Sequence, residues 1–187
     1  MTISKLKLKY SSLFLIPFIL MLGVFLCLGL TPFSQSSIHS GDFLSQYFPL
    51  YIGLHKMFWN GDFSGLFWSF EKSLGGAMPS VWGFNSLSPF TFLYVLFPIS
   101  SFHVISYIIP LIRFGVMGVV FGYFIEKKYQ AVSKRYWLAV GLCTSYALSG
   151  FIISQHYNPN FLDNLVYVPF IFLGIEDIFH GKKSIKL

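Results

Sequence analysis

Charged side chains are few in this sequence, so they mark where chemistry is feasible. Asp42 stands in the stretch Ser40-Gly41-Asp42-Phe43-Leu44-Ser45-Gln46-Tyr47-Phe48-Pro49, about ten residues after a long apolar run, and no other acid precedes Asp62. A carboxylate just outside a membrane span can serve as a general base toward a hydroxyl within hydrogen-bond reach. It can equally serve as a helix cap, because Gly41-Asp42 precedes helical apolar spacing and Asp is a favoured cap. The roles are compatible, since a capping carboxylate still offers one oxygen to solvent. Gln46 and Tyr47 follow one turn later, where they would orient Asp42, bind substrate or form ordinary helix surface. A second polar cluster, Asn158, Asn160 and Asp163, surrounds the turn former Pro159 and suits either helix capping or ligand binding. Arg113 is the one base inside a long apolar run. At 11 residues into it, the side chain lies about 16 Å deep. A charge there costs at least about 2.5–3.5 kcal/mol unless paired or hydrated, so Arg113 needs either an acid from a neighbouring span or an anionic ligand.

These residues sit in a strongly apolar chain. Of 187 residues, 55% are hydrophobic, 20% aromatic and only 11% charged, and the mean hydropathy is +0.65. Soluble domains carry about 25% charged residues, so the composition points to an all-α integral membrane protein. The net charge of +6 does not argue for nucleic acid, because the bases cluster at the ends of apolar runs. The cysteines, Cys27 and Cys143, fall in different spans at different depths, which disfavours a disulfide.

Lys5, Lys7 and Lys9 lead into an uncharged run of 18 residues, Leu13 to Leu30. That length crosses a hydrocarbon core of about 30 Å. A signal peptide shares the basic start and apolar core, but this run is longer than a usual one and Leu30-Thr31-Pro32-Phe33 is a poor cleavage site. The first span, 13–32, is therefore expected to remain. Residues 33–87 are aromatic and glycine-rich without a span-length run, and read as an outer loop of interfacial helices. Tyr47, Leu50, Tyr51, Leu54 and Phe58 recur at helical spacing, Gly61-Asp62 and Gly65 interrupt it, and the Trp68 and Trp82 stretches suit headgroup level. Residues 88–98 form a short apolar or re-entrant piece. Spans two to four are expected at 102–124, 136–154 and 161–179.

Topology follows from the bases. Inner segments hold ten (Lys5, Lys7, Lys9; Lys127, Lys128, Lys134, Arg135; Lys182, Lys183, Lys186), and outer segments hold Lys56 and Lys72. Ten against two places both termini in the cytoplasm, which brings Asp42 and the Asn158–Asp163 cluster to the outer face. His39 and His156 lie on that side without ligand-type spacing, and no metal motif is present. Gly75-Gly76 lacks the following Lys-Ser/Thr of a phosphate loop.

The order GDFLSQYFPLY, FWSFEKSLGGAMPS, NSLSPFTFLYVLFP and NPNFLDNLVYVPFIFLGIE, placed against these spans, resembles the amino-terminal part of the bacterial YfhO family of membrane proteins, over about Lys9 to Asp177. That family is similar to the GT-C glycosyltransferases. The resemblance implies a GT-C-like module at the bacterial plasma membrane with an outer-face active site. It also implies a sugar donor carried on a polyprenyl phosphate, and an acceptor such as a teichoic acid. Asp42 matches the family's first-loop acid, and Asn158, Asn160 and Asp163 match the polar turn before the fourth span. The expected roles are Asp42 as catalytic base and Gln46, Tyr47, Arg113, Asn158 and Asp163 as substrate-binding residues. Paired first-loop acids, common in GT-C enzymes, are not found here, which leaves the cofactor, including any divalent metal, unassigned. Family members are several times longer, so the chain reads as a front portion whose later spans a second polypeptide would carry. A non-enzymatic membrane subunit or remnant is the rival reading. A lipid-linked-sugar transporter ranks third, because transporters place polar residues at the midplane of several spans.

Overall fold

The computed structural model describes residues 3–33, 41–70, 75–85 and 88–181. His39, Ser40, Lys72, Leu87, Lys182, Lys183 and Lys186 lie outside the described residues. Among the described residues the secondary structure is helical apart from one short β pair, and the chain divides into two compact units. One comprises residues 1–30, 110–156 and 161–187, the other residues 31–109 and 157–160.

The first unit is built on α1 (Ile3–Cys27), the part of α5 (Phe102–Lys128) from Pro110 onward, α7 (Tyr136–Ala147) and most of α9 (Pro159–Phe179), with the short α6 (Gln130–Ser133) and α8 (Gly150–Ser154) between them. Glycines let α1 and α5 approach closely. A Cβ on Gly118 would stand 2.3 Å from the Leu13 carbonyl oxygen, and one on Gly115 would stand 2.6 Å from the Phe14 ring. Without a hydrophobic driving force between helices in lipid, such close packing carries much of the association. Leu13, Ile125, Val140 and Cys143 form the buried cluster beside this contact. Polar clamps supplement it: the Tyr10 hydroxyl donates to Glu126 at 2.6 Å and the Tyr136 hydroxyl to Ser12 at 2.9 Å. The Tyr146 hydroxyl donates to the Leu165 carbonyl at 2.7 Å, its ring stacked on Phe121. Lys128 pairs with Glu176.

Among the described residues, three helical segments are long and apolar enough to cross a membrane: Tyr10–Cys27, Ile99–Lys128 and Tyr136–Ser154. The last is broken at Leu148-Ser149, where Ser149 turns extended at ψ 151°. α9, expected as the fourth span, has 21 residues, but Asp163, Asn164, Glu176 and Asp177 lower its hydropathy and it is not among the three.

The second unit carries the segment after α1. A π-helical turn, Phe43–Tyr47, runs directly into α2 (Phe48–Asn60). Pro49 is the second residue of α2, directly after the π turn, and has no N–H to donate. Gly61 ends the helix in the left-handed region at φ 68°. β1 (Trp68–Ser69) pairs antiparallel with β2 (Gly76–Ala77), a strand pair absent from the helical expectation for this loop. α3 (Pro79–Asn85) and α4 (Phe92–Leu96) follow. α4 docks on α2 through polar bonds: His55 Nδ1 donates to the Tyr94 carbonyl at 3.1 Å, and Trp59 Nε1 to the Val95 carbonyl at 2.9 Å. Phe43, Tyr47, Tyr51, Tyr94 and Phe102 form an aromatic core in which Tyr51 and Tyr94 stack at 4.4 Å.

Candidate functional site

Gly41, at φ 52°, turns the chain into the π-helical segment. Asp42 follows with φ −63° and ψ −24°, already helical, and its side chain makes no cap bond. The capping role expected from Gly41-Asp42 is thereby corrected: a cap residue keeps extended backbone so that its side chain folds back on the next N–H groups, and Asp42 does not. The Asp42 carboxylate is exposed and accepts a hydrogen bond from Gln46 Nε2 at 3.2 Å. The Gly41 carbonyl is bound by the Ser45 N–H at 3.3 Å and the Ser45 hydroxyl at 3.2 Å. π turns are uncommon and are found frequently at functional sites. Here the turn puts a carboxylate and a carboxamide side by side on the surface.

Tyr47 is placed differently from Gln46. It is 4% exposed and packs in the aromatic core, its ring 6.4 Å from Tyr51. Its spacing one turn after Asp42 is equally that of the buried stripe Tyr47, Tyr51, Leu54, and burial prevailed. Asn158 and Asn160 are buried residues of the same unit as Asp42.

Arg113 and Asp163 belong to the other unit and find each other. Arg113 Nε meets Asp163 Oδ1 at 2.6 Å and Nη2 meets Oδ2 at 3.2 Å, with both residues buried. The acid that the depth of Arg113 calls for is therefore Asp163. The fork-to-fork geometry is the strong form of this contact, and it commits two guanidinium nitrogens and both carboxylate oxygens. A substrate phosphate at Arg113 would have to compete with it.

Sequence reasoning did not assemble one feature of the second unit. A cavity of ≈ 960 Å³ is lined by Gln46, Lys56, Asn60, Asp62, Trp68 and Trp82, among others. Trp68 and Trp82 read as headgroup anchors in sequence. The pairing of β1 with β2 and the bond from Trp82 Nε1 to the Gly65 carbonyl, 3.2 Å, place both in the cavity wall. The available signal was aromatic, strand-forming Phe67–Phe70 followed by Gly75-Gly76, a hairpin pattern. Asp62 is held below the usual carboxylate range by hydrogen bonds from the Ser64 hydroxyl and backbone N–H. Among the described residues, no three of His, Cys, Asp and Glu gather into a metal-binding group.

No curated protein and no solved structure matches the chain. Residues 12–187 match the model of the family described as bacterial membrane protein YfhO, which takes in the Asp42 turn, the Arg113–Asp163 pair and both units, and the chain belongs to that family.

Proposed function

We propose that the chain is the front portion of a membrane glycosyltransferase that moves a sugar from a polyprenyl phosphate to a cell-envelope polymer such as a teichoic acid. Asp42 is its general base. The observation that carries the reading is the exposed Asp42 carboxylate, aligned by Gln46 within a π turn, in a chain of this family. In the reaction Asp42 takes the proton of an acceptor hydroxyl. The freed oxygen attacks the anomeric carbon, the bond from that carbon to the phosphate oxygen breaks, and polyprenyl phosphate leaves with its electron pair. The ten-to-two base asymmetry supports both termini in the cytoplasm and Asp42 outside. Asn158 belongs with Asp42 in the substrate-binding set. Arg113 and Asp163 are proposed as substrate-binding residues of the other unit, where an anionic group would compete with Asp163 for Arg113.

The test is sugar transfer in membranes, with later spans supplied on a second polypeptide. Asp42→Asn keeps the size of the side chain and its bond to Gln46 while removing the base, and should slow transfer by about 10²–10⁴-fold. Full transfer by this variant at matched protein level would remove the catalytic role. The rival reading, a non-enzymatic subunit, requires that the parent chain never transfers sugar under these conditions.

A further inference from the structure

The cavity of the second unit has walls of two kinds. Trp82 and Met78 are buried in its apolar floor, with the partly buried Leu50 packed against them, while Trp68 stands 54% exposed at its side. Opposite chemistry comes from Gln46, Lys56, Asn60 and Asp62, all exposed. A lipid tail would match the floor but would strand these four polar groups, which costs free energy for each one left without a partner. A small ion would leave most of the ≈ 960 Å³ unused. Pockets up to about 1,000 Å³ hold ligands of several rings. A flat ring face beside amide, carboxylate and ammonium groups suits a ligand with one face of C–H bonds and a rim of hydroxyls, which describes a pyranose.

We propose that this cavity is a saccharide subsite, in which a pyranose stacks on Trp68 and its hydroxyls bond to Gln46, Lys56, Asn60 and Asp62. The inference rests on the glycosyl-transfer reading for its purpose, because a sugar held by Gln46 lies one side chain from Asp42. Backbone geometry protects the stacking platform. Gly75 sits at φ +106°, and a Cβ there would come within 3.1 Å of Phe70 and 3.3 Å of Trp68. Asp62 is held in place by Ser64, so one wall of the subsite is formed before any ligand arrives.

The test uses the full chain in nanodiscs free of lipid-linked sugar, titrated calorimetrically with N,N′-diacetylchitobiose and with maltotriose. A second arm uses nanodiscs carrying a monosaccharide on polyprenyl phosphate. Saturable binding in the soluble arm assigns the subsite to an acceptor sugar, and binding only in the lipid-linked arm assigns it to the donor. In either arm Trp68→Ala should weaken binding about tenfold or more, as expected for loss of an aromatic face. Trp68→Phe should retain most of it, and Trp137→Phe, on an exposed ring of the other unit, should change nothing. Absence of binding in both arms would overturn the proposal. So would binding that is indifferent to Trp68→Ala, or a cavity filled by lipid that sugar does not displace. The two readings fail separately: sugar binding without transfer would remove the enzyme and keep the subsite, and transfer without binding at Trp68 would do the reverse.

Discussion

Removing Asp163 should cost this protein more than any other single carboxylate among the described residues. Arg113 is 3% exposed and meets Asp163 through two bonds, at 2.6 and 3.2 Å. Replacing Asp163 by Leu leaves a guanidinium in an apolar surround. Breaking a buried pair from one side costs about 3–5 kcal/mol, in line with the roughly 2.5–3.5 kcal/mol for a lone arginine at a helix centre in the bilayer. For a chain of this size about 1 kcal/mol corresponds to about 2–4 °C in Tm. At 3 kcal/mol, Asp163→Leu and Arg113→Leu should therefore each lower the melting temperature in detergent by on the order of 6–12 °C. The double variant should recover most of that loss, because replacing both partners by apolar groups is often neutral or better. Thermal unfolding of the parent, the two single variants and the double variant completes the cycle. Single variants melting within about 2 °C of the parent, or a double variant showing the plain sum of the two losses, would refute the argument that the pair is a desolvated unit.

Three other outcomes follow from the same geometry. Gly118→Ala should destabilise more than Gly115→Ala, by about 1–3 kcal/mol, because the Gly118 Cβ meets the backbone oxygen of Leu13 and the Gly115 Cβ meets a movable Phe14 ring; equal Tm values for the two would argue against backbone-to-backbone packing of α1 on α5. With Cys27 and Cys143 replaced by Ala, Ser64→Cys should react with an impermeant thiol reagent in intact cells and Gln130→Cys, also exposed, should react only after lysis; the opposite pattern would invert the topology. Gln46→Leu should slow sugar transfer and weaken saccharide binding together, since Gln46 touches both Asp42 and the cavity, and a loss confined to stability would show it to be ordinary helix surface.

What could be read from the sequence depended on how local the cause was. Span-length apolar runs and an 11% charged composition leave a chain few choices, so the helical membrane class was legible. The helix after Asp42 and its end at Gly61 were legible too, because apolar spacing and a glycine are local signals. The need for an acid near Arg113 was also readable from the energetics of a charge in an apolar run. Its identity was hidden, because 50 residues separate the partners and nothing local in α5 points to α9.

The Asp42 turn shows where local reasoning misleads. Gly41-Asp42 before a periodic run has the composition of a cap, yet a cap requires the helix to begin after the aspartate, and here the helical backbone begins with it. The π turn from Phe43 to Tyr47 adds a residue to its hydrogen-bonded loop, closing from the Phe48 N–H to the Phe43 carbonyl. That register buries both Phe43 and Tyr47 in the aromatic core. The same register leaves Asp42 and Gln46, four residues apart, together on the exposed side. The buried Tyr47 helps fix the turn that pairs Asp42 with Gln46. The polar pair follows from where the aromatic residues go, so Tyr47→Ala should loosen the pairing of Asp42 with Gln46.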